Sequence, residues 1–195
     1  MDAIEALLSR RSYPRRNLIQ PAPERAQLEQ ILQTAMTVPD HGNLKPWRFV
    51  VVQGEGIKDL SQLVRLRYAD KGMTEQQLEA FVDEIAATPM MIYVCSALKT
   101  EHRIPVLEQQ LAGAAACEHI LLAAHALGFG GIWHSLEADK GLREMLQMSE
   151  EDLILGVLSL GTPKRTAPAK RKSFADFTLE WDRQGGLRPW QEKSE

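Results

Sequence analysis

Apolar and polar positions divide the chain into alternating helical and extended stretches. Residues 2–9 carry Ile4, Leu7 and Leu8 at helical spacing and predict a short helix. Pro21 and Pro23 then break the chain. Residues 24–37 place Leu28, Ile31, Leu32 and Ala35 on one face of a second helix. Residues 39–43, Pro-Asp-His-Gly-Asn, read as a loop by composition. The run WRFVVVQ at 47–53 is aromatic and β-branched, so it predicts a strand. Residues 56–87 read as two polar helices around Lys71 and Gly72, and MMIYVCS at 90–96 reads as a buried strand.

The longest helix falls at 106–127. Its middle is small and apolar, from Ala112 and Gly113 to Ala116, which lets another backbone approach and points to a central helix or a dimer core. Gly128 stands where a helix ends. A short strand at 130–134, a helix at 140–146 and a buried strand at 153–160 follow, the last closed by Gly161, Thr162 and Pro163. Residues 164–195 hold too few apolar positions for a domain of their own. They predict a C-terminal arm lying on something else, such as a partner subunit, with Trp181 and Trp190 anchoring it by burial. The mixture gives one domain, 1–195, of α+β or three-layer α/β class.

Composition narrows the function. The 195 residues carry a formal net charge of -3, which disfavours a general nucleic-acid binder with its basic face. No stretch is long and apolar enough to span a membrane, and the N-terminus lacks the basic and then apolar pattern of a signal peptide. The two cysteines, Cys95 and Cys117, sit in apolar segments and fit neither a disulfide framework nor a zinc motif. A cytoplasmic protein is expected. His119 and His125 lie six apart on the long helix and share no face for a metal.

Three short constellations carry candidate chemistry. Arg10-Arg11-Ser12 can bind a phosphate through charge-assisted hydrogen bonds, or can simply be a solvated basic helix end. The 39–47 loop offers hydrogen-bonding side chains with no acid–base pair or nucleophile dyad; a turn with an Asx cap accounts for it equally. Gly128-Phe129-Gly130-Gly131-Ile132-Trp133-His134-Ser135 puts three glycines after a helix, so the backbone can approach a flat ligand or merely turn tightly. In a dinucleotide fingerprint the glycines open a helix; here they open a strand.

Taken together, MDAIEALLSRRS, VPDHGNLKPWRFVVVQGEG, LGFGGIWHS and GVLSLGTP resemble, in order and spacing, the nitroreductase family, over nearly the whole chain. That resemblance implies a three-layer α/β/α fold, a central, mostly antiparallel sheet flanked by helices, and an intertwined homodimer. It implies FMN as cofactor and NAD(P)H as co-substrate. Arg10, Arg11 and Ser12 would bind the FMN phosphate and ribityl chain. Trp133, His134 and Ser135 would lie along the isoalloxazine ring. Thr37 and His41 would reach the flavin of the partner subunit, although relatives often carry arginine at the position of Thr37. Asn43, Pro46 and Trp47 match the family's Asn-x-Gln-Pro-Trp loop, with Lys45 replacing the glutamine. The helix end, Ala123, Ala124, His125, Ala126, Leu127 and Gly128, is where the nicotinamide would approach. Lys170, Arg171 and Lys172 are arm candidates for the phosphate.

No catalytic side chain is expected, because the flavin carries the chemistry and the protein positions it. The function so implied is hydride transfer from NAD(P)H through FMN to an electron-poor acceptor, a nitroaromatic or quinone, by a ping-pong mechanism. Two rivals are other flavin chemistry of the same superfamily, such as dehalogenation or flavin fragmentation, and a non-enzymatic flavin binder or sensor. A plain interaction module is a third.

Overall fold

The computed structural model describes residues 1–69, 71–166, 168 and 170–191. Helix α1 (Ala3–Ser9) starts because the Asp2 carboxylate accepts from the Glu5 amide at 2.8 Å, satisfying one of the free donors at the helix end. A two-residue strand, β1 (Leu18–Ile19), precedes α2 (Arg25–Ala35), which opens on a reciprocal cap between Glu24 and Gln27. Then come β2 (Trp47–Gln53), α3 (Glu55–Tyr68) and α4 (Glu75–Ala86), the last capped by Thr74 and Gln77. Strand β3 (Met90–Ser96), α5 (Val106–Ala126), β4 (Gly130–His134), α6 (Lys140–Leu146) and β5 (Ile154–Pro163) complete the body.

Strand β5 is the centre of the sheet. It pairs with β3, β4 and β1, and β3 pairs in turn with β2, every pairing antiparallel. Alternate residues of these strands serve two cores. Met90, Ile92, Val94, Leu158 and Leu160 pack on Ile31 and Ala35 of α2 and Ala116 and Ile120 of α5. Met91, Tyr93, Cys95 and Val157 pack on Ile57 and Leu60 of α3, Ile85 of α4 and Leu142 and Leu146 of α6. Helices therefore cover both faces, giving three α/β/α layers. Double coverage explains why every residue of MMIYVCS is buried and why the run does not alternate.

The small residues of α5 have a concrete role. A Cβ on Gly113 would stand 2.2 Å from Leu155 Cδ1, so the stripe is what lets β5 press against the helix. Strand β5 also runs further than its sequence suggests. Gly161, Thr162 and Pro163 do not close it but continue it, because Gly161 pairs with Gly130, Thr162 with Ile19 and Pro163 with Leu18. The arm, which sequence left featureless, holds a helical turn at Phe174–Phe177 and a hairpin of β6 (Leu179–Asp182) and β7 (Gly186–Pro189). Within the single chain its tryptophans are not fully buried. Trp181 is 72% exposed, and Trp190, 38% exposed, meets the Phe174 ring edge-on at 5.6 Å. Residues 192–195 of the arm lie outside the described residues.

Candidate functional site

The chain leaves α1 at Arg10 and runs along the edge of β4 that β5 does not use. Ser12 and Gly131 form a parallel bridge, and the Tyr13 amide donates to the Gly131 carbonyl at 3.0 Å. This register puts Arg10, Arg11 and Ser12 beside the glycine-rich strand. The arm returns to the same place. Arg11 Nη1 donates to the Pro168 carbonyl at 3.3 Å and its guanidinium stacks over the Tyr13 ring at 5.5 Å, while Arg171 donates to the Arg10 carbonyl. Arg171 is thus the arm residue tied to the basic cluster. Lys172 stands instead over the Phe177 ring at 5.9 Å, and Lys170 is exposed.

Strand β4 sends its side chains to opposite faces. Trp133 turns inward: its indole Nε1 donates to the Leu155 carbonyl at 3.2 Å, and a Cβ on Gly156 would meet that nitrogen at 2.6 Å. The indole is committed to packing within the chain. Gly130 and Gly131 are closely packed: added Cβ atoms would meet Tyr13 at 2.9 Å and Leu121 at 2.7 Å, so the chain's own core already requires their smallness.

His134 turns to the other face, into a cavity of about 370 Å³ between the sheet and the α3–α4 pair. Arg15, Tyr68, Phe81, Glu84 and Tyr93 line it, with Ser135 exposed at its rim. His134 Nε2 is buried and has no hydrogen-bond partner among the described residues. Burial, and then the charge of Arg15, push its pKa down to about 4, so the imidazole is neutral near pH 7. Arg15 donates from Nε to Ser159 Oγ at 3.2 Å. Burial lowers its pKa against the opposing pull of Glu84, Tyr93 and Tyr68, and burial likewise raises the pKa of Tyr93. Sequence reasoning missed Arg15, Glu84, Tyr93 and Ser159. Only Ser159 left a signal, as a lone hydroxyl inside the apolar run LILGVLSL.

Thr37 and His41 do not join this cluster within one chain. Thr37 Oγ1 donates to the Thr34 carbonyl at 2.7 Å and lies 3.3 Å from His119 Nδ1. His41 Nδ1 pairs with Glu108 Oε2 at 2.6 Å, at the start of α5. Arg10 contacts Glu118 on the same helix, roughly 15 Å further along at 1.5 Å per residue. The His41 loop is fixed by the Asp40 carboxylate, which accepts from the Lys45 amide at 2.8 Å and from Lys45 Nζ at 3.3 Å.

The end of α5 does reach the cluster: His125 Nε2 lies 2.8 Å from Ser9 Oγ, and burial and then Arg10 lower its pKa. Of the expected nicotinamide segment, Ala126 and Gly128 are exposed and Ala123, His125 and Leu127 partly so. Ala124 is a correction: it is buried in the core under α5 and faces no solvent. Cys95 and Cys117 are free and buried, and burial pushes the Cys117 thiol up to about 12. Among the described residues no cluster of His, Cys, Asp and Glu is placed to hold a metal, and no helix is long and apolar enough to cross a membrane.

The chain belongs to the nitroreductase family, whose model matches residues 7–162, and it is an oxidoreductase of that type. It is 36% identical over 169 residues to YdjA of Escherichia coli (strain K12), which carries the provisional name of an NAD(P)H nitroreductase; the match covers 86% of this chain and 91% of that one. A similarly named Haemophilus influenzae protein is 33% identical over 165 residues, 83% of this chain and 89% of that one. Among solved structures, a nitroreductase-like protein from Bacillus cereus matches with a TM-score of 0.75 at 22% identity, covering 91% of this chain and 95% of that one. A mutant of NfnB, described as an FMN- and NADPH-dependent nitroreductase, matches with a TM-score of 0.68 at 20% identity, covering 95% and 100%. These two likenesses show the fold.

Proposed function

We propose that the protein is an FMN-dependent oxidoreductase working as a homodimer. The observation that carries this reading is the convergence of Arg10, Arg11, Ser12 and Arg171 at the edge of β4, next to a cavity holding an unpartnered imidazole nitrogen. The residues fit the cofactor. A phosphate monoester carries up to about two negative charges near neutral pH, and the cluster offers three guanidiniums and a hydroxyl, with Lys170 and Lys172 close in sequence. The end of β4, where Trp133 and His134 are partly buried and Ser135 is exposed, suits the edge of a flat ring. His134 offers an uncharged donor or acceptor whose need for a partner a ring heteroatom would meet. Arg15 keeps a positive charge beside it, which favours an electron-rich guest.

Bound there, FMN supplies the redox chemistry: hydride from NAD(P)H in one half-reaction, and electrons to an electron-poor acceptor such as a nitroaromatic or quinone in the next, a ping-pong scheme. The protein's share is to grip the phosphate, orient the ring and leave one face open near the end of α5. The relatives' NAD(P)H nitroreductase names and the FMN and NADPH dependence stated for NfnB support this assignment.

The homodimer is supported by apolar surface a lone chain leaves bare. Ile4, Leu7 and Leu8 of α1, Leu107 and Leu111 of α5, and Trp181 and Leu187 of the hairpin are all exposed. In the pair, Thr37 and His41 of one subunit would face the flavin of the other, and the 164–195 arm would lie across the partner. A reducing cytoplasm suits two free, buried cysteines.

The test is anaerobic reduction of the purified protein by NADH and by NADPH, followed by an acceptor panel. Yellow protein bleached by either nicotinamide and reoxidised by a nitroaromatic or quinone supports the reading. Colourless protein that takes up no added FMN overturns it.

A further inference from the structure

Arg10 already has an anion. Its Nε lies 3.2 Å from Oε1 of Glu118, a residue of α5. Glu118 stands two turns before His125 on the helix face that meets α1, so α5 presents a carboxylate to Arg10 and an imidazole to Ser9. The Glu118 carboxylate is 43% exposed and the Arg10 side chain 19%. An ion pair of that exposure is screened and opens readily when a stronger anion arrives. Nearby, the Arg171 guanidinium donates to the Arg10 carbonyl and Arg11 turns to the Pro168 carbonyl and the Tyr13 ring, so Arg10 is the guanidinium that Glu118 pairs with.

We propose that Glu118 is the resident counter-ion of the phosphate seat. It neutralises Arg10 before the anion binds, and the incoming phosphate must displace it from Arg10. Glu118 then weakens phosphate binding rather than assisting it, and so keeps FMN exchangeable. The carboxylate remains on α5 next to the seat, where it repels a bound dianion. This inference rests on the FMN reading given above.

The test is Glu118→Gln, which keeps the side chain's size and removes its charge. FMN and riboflavin are titrated into wild type and variant at low ionic strength and again at high salt. The variant is expected to bind FMN about two- to fivefold more tightly at low salt, the range of a single exposed ion pair, with the difference shrinking at high salt. Riboflavin, which shares the ring and lacks the phosphate, is expected to bind both proteins alike. Inorganic phosphate is expected to compete with FMN more effectively in the variant. Unchanged or weaker FMN binding overturns the proposal, the weaker case making Glu118 a support for Arg10. An equal change for riboflavin also overturns it, because the effect then does not act through the phosphate. If neither protein binds FMN or riboflavin, the cofactor reading fails and Glu118 with it; if both bind FMN equally, only the role of Glu118 fails.

Discussion

Arg15 reaches under β4 to donate from Nε to the Ser159 hydroxyl at 3.2 Å, joining a loop after α1 to the central strand of the sheet. Ser159 is fully buried, so the bond fixes a guanidinium at the wall of the His134 cavity. A largely buried cation needs such partners, since water supplies few.

Removing that acceptor leaves the cation short of a bond. Ser159→Ala is expected to destabilise the protein by about 1.5–3 kcal/mol, the range for a hydrogen bond to a charged group. Urea unfolding at pH 7 measures it. An unchanged midpoint would mean that water already serves Arg15 and that its place at the cavity wall is loosely held.

His134 makes stability depend on pH. Its pKa is about 4 in the fold against an ordinary value of 6.5, so between these values the unfolded chain binds more protons. Stability therefore rises with pH across that window and is lost as pH falls from 6.5 towards 4. His125, also lowered, acts in the same direction. In FMN-free protein, His134→Gln is expected to flatten the slope of unfolding free energy between pH 4.5 and 6.5, by the order of one proton. A slope identical to wild type would show that His134 titrates normally, as a solvated residue does.

How much of this was legible in the chain differs by element. Helix α2 follows from apolar spacing, and α5, β2 and β3 from runs of small apolar, aromatic or β-branched residues, which end up largely in the core. The extra length of β5 was hidden, because Gly-Thr-Pro reads as a turn until β1 and β4 are there to pair with it. The glycines of β4 were visible in sequence, but the packing that requires one of them was not: Leu121 and Leu160 crowd Gly131, a contact between distant segments that local composition does not encode. Arg10 to Ser12 stood out as candidates only through resemblance, and that Arg171 meets the Arg10 carbonyl depends on how the arm folds back, which the chain does not spell out locally. Arg15 was not legible at all. In sequence it is one of two arginines after Pro14, and its burial depends on the register of Ser12 with Gly131.

Arg10→Ala tests the phosphate seat from the other side. The loss of one contact between a charged group and the phosphate is expected to cost roughly 1.5–3 kcal/mol of FMN affinity, about ten- to a hundredfold or more in dissociation constant. The fold should persist, because the side chain pairs with the half-exposed Glu118. Equilibrium titration with FMN reads the affinity and circular dichroism reads the fold. Wild-type affinity in a folded variant would remove Arg10 from the site.

The hairpin separates a free arm from one that covers a partner. Trp181 and Leu187 are directly paired across β6 and β7 and are 72% and 66% exposed. On an isolated chain, changing both to serine would alter stability little, as surface substitutions usually do. Buried against a second copy, each would take about 1.5–3 kcal/mol from association, with the larger share from the tryptophan. The Trp181→Ser, Leu187→Ser double variant is therefore expected to shift the dimer to dissociation at concentrations where wild type remains paired. Sedimentation velocity across a dilution series measures the difference. If the two proteins sediment alike at every concentration, the hairpin does not lie on the partner.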